Sequence, residues 1–387
     1  MKRSLIQRKL ARVERALDKS IEKAEIPGAV VLARMPRESE LLEYEVARGL
    51  AVMRPERIPM APETVFDLAS LTKPMATTTA ILLLVHEGAI ALDDPVAKTL
   101  PSFAERDKEA ITLRHLLTHS SGLKPWRAFH EALIEKERKT GERLLGTAEG
   151  RAWILDRVLR SGLVHEPGKA AVYGDLDFIV LGAVVEEVAK QPLDVFCAER
   201  IFGPLELRDT RFLPLPVDGS DRALPEAERR RIAATENCPW RGRILWGEVH
   251  DPNASAMGGV AGHAGLFSTA ADVMRFAQAW LDVHHGRSDV LPRELVGAFA
   301  KRQELPAGSD WALGWDTPTA GASSSGSHFS PASIGHLGFT GTSLWIDLER
   351  EAIVVMLTNR VHLVAKKSRF DLRPKIHDLV IDAFLAG

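Results

Sequence analysis

The amino-acid sequence predicts an α/β fold with an inserted helical domain, in which one antiparallel sheet is assembled from both ends of the chain and flanked by N- and C-terminal helices. Three observations predict it. Strand patterns occur at 29–34 and 44–48 near the start and at 343–347 and 352–357 near the end. Residues 90–255 show helical periodicity and loops with little period-two alternation. Helical patterns bound the chain at both ends.

At the start, Leu5, Ile6, Leu10, Val13, Leu17 and Ile21 recur mostly three or four apart among charged residues, which makes an amphipathic helix that stops at Pro27-Gly28. Arg8, Lys9, Arg12, Glu14 and Arg15 interrupt any run that would serve as the apolar core of a secretory signal, so a cytoplasmic chain is expected. Residues 70–86 are apolar on nearly every side and read as a buried central helix, with Gly88 as its stop. Segments 113–117, 131–134, 152–159 and 178–188 supply the helices of the inserted domain. The stretch 214–231 holds three prolines and ends in Arg229-Arg230-Arg231, as a solvated surface loop does. A helix follows at 271–280, and 317–333 is rich in Ser, Gly and Pro and is expected to be flexible. Leu348-Glu349-Arg350-Glu351 joins the last two strands as a hairpin, and 372–385 is the closing helix. The expected division is 1–68 with 256–387 as the sheet domain and 69–255 as the helical domain, with a cleft between them.

Composition narrows the function. With 387 residues, 45% of them apolar, the chain has material for a large core and a cleft, and no stretch approaches the roughly 18 apolar residues of a membrane span. The 50 basic side chains nearly cancel the 52 acidic ones, so no broad basic field exists to hold nucleic acid. Cys197 and Cys238 lie far apart and are expected as buried thiols. Nothing in the sequence selects an oligomeric state.

The chemistry starts at Ser70-Leu71-Thr72-Lys73, where a spacing of three puts hydroxyl and amine on one helical face. Serine needs a neighbouring base, and a lysine serves if burial or nearby positive charge lowers its pKa. A helix N-terminus adds free N–H groups for a developing oxyanion. His165-Glu166-Pro167-Gly168 followed by Tyr173-Gly174-Asp175 sets a phenol behind a turn, and nearby ammonium or imidazolium groups would favour its phenolate, which makes Tyr173 a second candidate base. Glu166 reads as part of the turn. His250, Asp251 and His263, and separately His115 and His119 at i, i+4, have metal-ligand chemistry, but each set reads better as internal hydrogen bonding, so no metal or other cofactor is expected. Gly258-Gly259 and Gly262 nearby suggest tight backbone packing. Trp311, Trp315 and Trp345 are divided between pocket and core.

Together, Phe66-Asp67-Leu68-Ala69-Ser70-Leu71-Thr72-Lys73, the segment from Ile111 through His115, His119, Ser120 and Ser121 to Leu123, Tyr173-Gly174-Asp175 and Gly335-His336-Leu337-Gly338 resemble, in order, the class C β-lactamase-like family. That family includes D-alanyl-D-alanine peptidases, penicillin-binding proteins and family VIII esterases. The resemblance implies a β-lactamase-like fold, Ser70 as acylated nucleophile, Lys73 as its proton partner and Tyr173 as base or acid. It implies that His336 tunes Tyr173 and attracts a substrate carboxylate. It also implies an oxyanion hole from the N–H groups of Ser70 and Phe339, with Gly338 admitting the substrate. Two positions depart from the family pattern. Asp175 stands where an Asn is usual and is expected to pair with Lys73 and shift the base role toward Tyr173. Leu337 replaces a Thr, which disfavours efficient β-lactam hydrolysis. The implied substrate is a small-molecule ester or amide, cleaved through an acyl-Ser70 intermediate. D-Ala-D-Ala peptide cleavage and a relative that is acylated without turnover are the alternatives.

Overall fold

The computed structural model describes residues 2–38, 40–216, 224–362 and 371–386. Six antiparallel strands form the main sheet in the order Ile58–Pro59, Glu40–Val52, Gly28–Arg37, Ala352–Thr358, Ser343–Asp347, Ser333–Leu337. The two chain ends therefore meet at its centre, where Val31 pairs with Met356 and Ala33 with Val354. Period two sorts these strands between two cores. Val30, Ile353, Val355 and Leu357 join the larger hydrophobic cluster, whereas Ala29, Val31, Val354 and Met356 join the smaller one beneath the terminal helices. Each Val, Ile, Leu or Met among them, fully buried, contributes about 1.5–3 kcal/mol.

The terminal helices Lys2–Glu22 and Leu372–Leu385 pack against each other over one sheet face, with Lys9 paired to Asp382 at 3.0 Å. The other face carries helix Ala270–His284 and, beyond it, the helical region. One continuous cluster runs from Val30 and Leu357 in the sheet through Leu117 and Phe178 among the helices, so the two regions share a core. The division at 69–255 accordingly stands as a proposal about chain topology, not as two separate cores.

Several expectations shift in detail. The helix expected at 70–86 is three kinds of helix in succession: a 3-10 turn at Ala69–Leu71, a π-helical stretch at Lys73–Thr78 and α-helix at Thr79–His86. Pro74 offers no N–H and resists regular continuation, and the Thr79 hydroxyl satisfies the Pro74 carbonyl at 2.9 Å. Strands of two or three residues at Phe66–Asp67, Arg211–Phe212 and Leu266–Ser268 form a second small sheet that periodicity cannot reveal. Within 214–231, residues 217–223 lie outside the described residues, and Glu226–Arg230 is a short helix. Cys197 and Cys238 are buried free thiols.

Candidate active site

The segment around Ser70 is fixed from below by a buried carboxylate. Asp67 accepts hydrogen bonds from the Ala69 N–H at 2.8 Å and the His250 N–H at 2.6 Å. It thereby holds Ala69 at φ 48, a left-handed conformation that a non-glycine residue adopts only when its surroundings enforce it. The Thr72 hydroxyl closes the turn by donating to the Ala69 carbonyl at 2.6 Å and accepting from the Leu266 N–H at 3.1 Å.

Lys73 is fully buried, and its Nζ donates to Ser70 Oγ at 2.8 Å, Tyr173 Oη at 2.7 Å and Asp175 Oδ1 at 2.7 Å. Burial alone would push the amine toward neutrality, but the charges and hydrogen bonds of Asp175 and Tyr173 outweigh it and hold the lysine pKa above its ordinary value. Tyr173 as a whole is 40% exposed in the cleft. Its hydroxyl, however, is enclosed by Lys73 and Ser70, and that environment governs its titration. Burial raises the phenol pKa, Asp175 adds to the rise, and the Lys73 ammonium only partly offsets it. The resting centre is therefore a Lys73 ammonium beside a neutral Tyr173 phenol, not the phenolate that neighbouring cations were expected to favour.

His336 also differs from expectation. It is buried in the Ser333–Leu337 strand, its Nδ1–H donates to the Leu337 carbonyl at 2.9 Å, and its ring centre lies 5.8 Å from that of Tyr173. Burial, reinforced by the Lys73 charge, depresses its pKa far below the usual histidine range. The imidazole is neutral and brings no charge to attract a substrate carboxylate. Gly338 lies against the segment that leads into Ser70: a Cβ there would meet Thr342 Oγ1 at 2.0 Å and the Leu68 carbonyl at 2.4 Å. Phe339 follows, with its side chain 57% exposed in the cleft. Among the described residues, no internal hydrogen bond uses the N–H of Ser70 or Phe339.

These groups share one cavity of about 850 Å³ with Trp311, whose ring stacks on Tyr173 at 5.6 Å, and with Arg360 and Arg373. Trp315 and Trp345 are instead fully buried. Beneath Tyr173 lies a pair the sequence did not single out as such: His119 Nδ1 is 3.1 Å from Asp177 Oδ2, and Ser121 donates to the other Asp177 oxygen. Burial pushes the Asp177 carboxyl up to about 8 and the His119 imidazole down to about 3, so a protonated Asp177 donates to a neutral His119. The His119 ring supports both Tyr173 and Trp311, at 4.8 and 4.6 Å.

The histidines with metal-ligand chemistry go to different places. His115 Nδ1 closes a helix cap with Thr112, whereas His119 Nδ1 faces Asp177. His250 faces Glu236 at 3.4 Å, and His263 Nε2 lies 2.9 Å from Asp251, whose pKa is raised by burial but lowered overall by its interactions with His263 and the Ala254 N–H together. Asp175, Asp251 and His263 do converge within 4.8 Å. Asp175 is already engaged by the Lys73 ammonium and Asp251 by His263, so a cation there would have to displace an internal partner. The glycines nearby do what close spacing suggests: a Cβ on Gly262 would meet the Phe178 carbonyl at 2.0 Å. That close approach seats the loop carrying His263 against the helix that follows Tyr173.

Comparison with known proteins identifies the family and the fold. Two curated relatives carry the name "Putative D-alanyl-D-alanine carboxypeptidase": one from Escherichia coli (strain K12), 33% identical over 341 residues, 81% of this chain and 73% of its own, and one from Salmonella typhi, 31% identical over 319 residues, 77% and 70%. Among solved structures, EstCE1, described as a hydrolase with promiscuous acyltransferase activity, superposes with a TM-score of 0.70 at 23% identity over 97% of this chain and 99% of its own. An octameric penicillin-binding protein homologue from Pyrococcus abyssi gives 0.68 at 21% identity over 97% and 76%. No described helix is long and apolar enough to cross a membrane. With the family model described as Beta-lactamase matching residues 10–376, nearly its whole length, the chain belongs to the beta-lactamase family of serine hydrolases.

Proposed function

We propose that the protein cleaves carboxylic esters of small molecules through an acyl-Ser70 intermediate, without a metal or organic cofactor. The observation that carries this is the Lys73 amine bound at once to Ser70 Oγ, Tyr173 Oη and Asp175 on the floor of an open, aromatic-walled cleft. The Tyr173 phenol loses its proton to solvent, and the adjacent Lys73 ammonium stabilises the phenolate. Ser70 Oγ passes its proton to Tyr173 as it attacks the ester carbon. The N–H groups of Ser70 and Phe339 hold the oxyanion, Tyr173 returns the proton to the departing alkoxide, and water repeats the route to release the acid. Neutral His336 and apolar Leu337 leave the strand beside Ser70 without the cation and hydroxyl that would fix a carboxylate next to the scissile bond, which favours esters over peptides ending in a free acid.

A second reading is cleavage of D-Ala-D-Ala peptides. The names of the curated relatives support it, as do Arg360 and Arg373 on the cleft wall, where burial and then the Arg360 charge lower the Arg373 pKa to about 10. A panel of p-nitrophenyl esters, a chromogenic cephalosporin and a D-Ala-D-Ala peptide ranks the two readings. In either, Ser70→Ala abolishes covalent labelling by a fluorophosphonate, seen by intact mass; labelling that persists on the variant removes Ser70 as nucleophile.

A further inference from the structure

A second cavity, of about 580 Å³, adjoins the catalytic cleft, with Trp240 lining both. Its wall carries Arg143, Arg229, Arg241 and Arg243, and among the described lining residues Glu248 is the one carboxylate. That carboxylate is already divided. Arg243 binds it through two hydrogen bonds, 2.8 and 3.1 Å, and Arg241 Nη1 reaches it only at 3.5 Å. Arg241 is a built part of the wall: its side chain is 4% exposed, its two terminal nitrogens donate to the Val249 and His250 carbonyls, and its guanidinium stacks over Trp240 at 4.7 Å. Its Nε has no hydrogen-bond partner among the described residues. Arg229 lies over Trp246 at 4.5 Å, whereas the next two arginines of the same run are paired, Arg230 with Glu56 and Arg231 with Asp209. Among the described residues no ion pair engages Arg143 or Arg229.

Arg143 and Arg229 line this cavity without an ion pair of their own among the described residues, next to the walled-in Arg241, and guanidinium forks match the planar or tetrahedral oxygens of carboxylate and phosphate. We propose that this cavity binds an oxyanion, a carboxylate or phosphate group, on the far side of Trp240 from Ser70. The group arrives either on the distal end of an elongated substrate or as a free anion. The proposal is independent of which bond Ser70 cleaves.

The test titrates inorganic phosphate into the full chain by calorimetry at constant ionic strength, with chloride as the control for screening. Arg143 and Arg229 are exposed, so the Arg143→Ala/Arg229→Ala double variant should fold, which circular dichroism checks. Saturable phosphate binding that Ser70→Ala leaves intact and the double variant weakens about tenfold or more supports the site. Absence of saturable binding, or equal binding by the double variant, overturns it. To separate the two sources, kcat/KM is compared for a neutral p-nitrophenyl ester and one bearing a phosphate on its acyl chain. A selective loss for the phosphorylated ester in the double variant assigns the anion to the substrate, whereas phosphate altering turnover of the neutral ester assigns it to a free anion. Because the calorimetric arm does not use turnover, its failure is distinguishable from failure of the ester reading.

Discussion

Replacing Asp175 by Asn tests the electrostatic design of the centre most directly. Asp175 Oδ1 sits 2.7 Å from Lys73 Nζ, with the lysine side chain 0% and the aspartate side chain 19% exposed. A unit-charge pair about 4 Å apart is worth about 4 kcal/mol at an effective dielectric near 20, or about three pKa units at roughly 1.4 kcal/mol each. Asn keeps an oxygen that accepts from Lys73, so a net fall of about two units is expected for the lysine. Tyr173 moves the same way, because the Asp175 charge raises its pKa as well. The rising limb of kcat/KM against pH, measured with a p-nitrophenyl ester from pH 5 to 10, therefore moves toward acid, by up to about two units. Turnover at neutral pH increases by less than that shift, since a group of lower pKa is a weaker base. A limb that stays in place, or moves to higher pH with the fold intact by circular dichroism, refutes the assignment of Asp175 as the group that keeps Lys73 charged.

Two further outcomes follow from the same geometry. In the folded state the Asp177–His119 pair holds one proton up to about pH 8, whereas in the unfolded chain it holds one below about pH 6.5 and none above. Stability is thus unaffected by the pair between about pH 4 and 6.5 and falls by about 2 kcal/mol as pH rises from about 6.5 to 8, where the folded state alone retains the proton. Asp177→Asn, which can still donate to His119, flattens that fall in urea denaturation; an unchanged slope contradicts the protonated carboxyl. Gly338→Ala drives a methyl group into Thr342 Oγ1 and the Leu68 carbonyl, themselves joined at 3.0 Å, and costs about 1–3 kcal/mol of stability together with slower acylation as the Phe339 N–H leaves its place. Wild-type acylation rates in a folded variant would show that this backbone approach is not required.

Sequence alone determined what short-range geometry and pattern can carry. A spacing of three across a tight helical turn points to Ser70 and Lys73 on one side, where they meet at 2.8 Å, and period two with the terminal patterns yielded a sheet fed from both ends. Resemblance across ordered motifs brought in Tyr173 and the strand at His336. Tertiary structure decided everything that depends on groups distant along the chain meeting in a dry interior. Asp67 meets the His250 N–H across 183 positions, Tyr173 meets Lys73 across 100, and Trp311 stacks on Tyr173, contacts that no local pattern encodes. Charge states were likewise decided by burial. His336 and Tyr173 are residue types whose protonation near neutral pH follows from desolvation and from one ammonium 2.7 Å from the phenol, and desolvation is a property of the folded chain, not of the sequence around each residue.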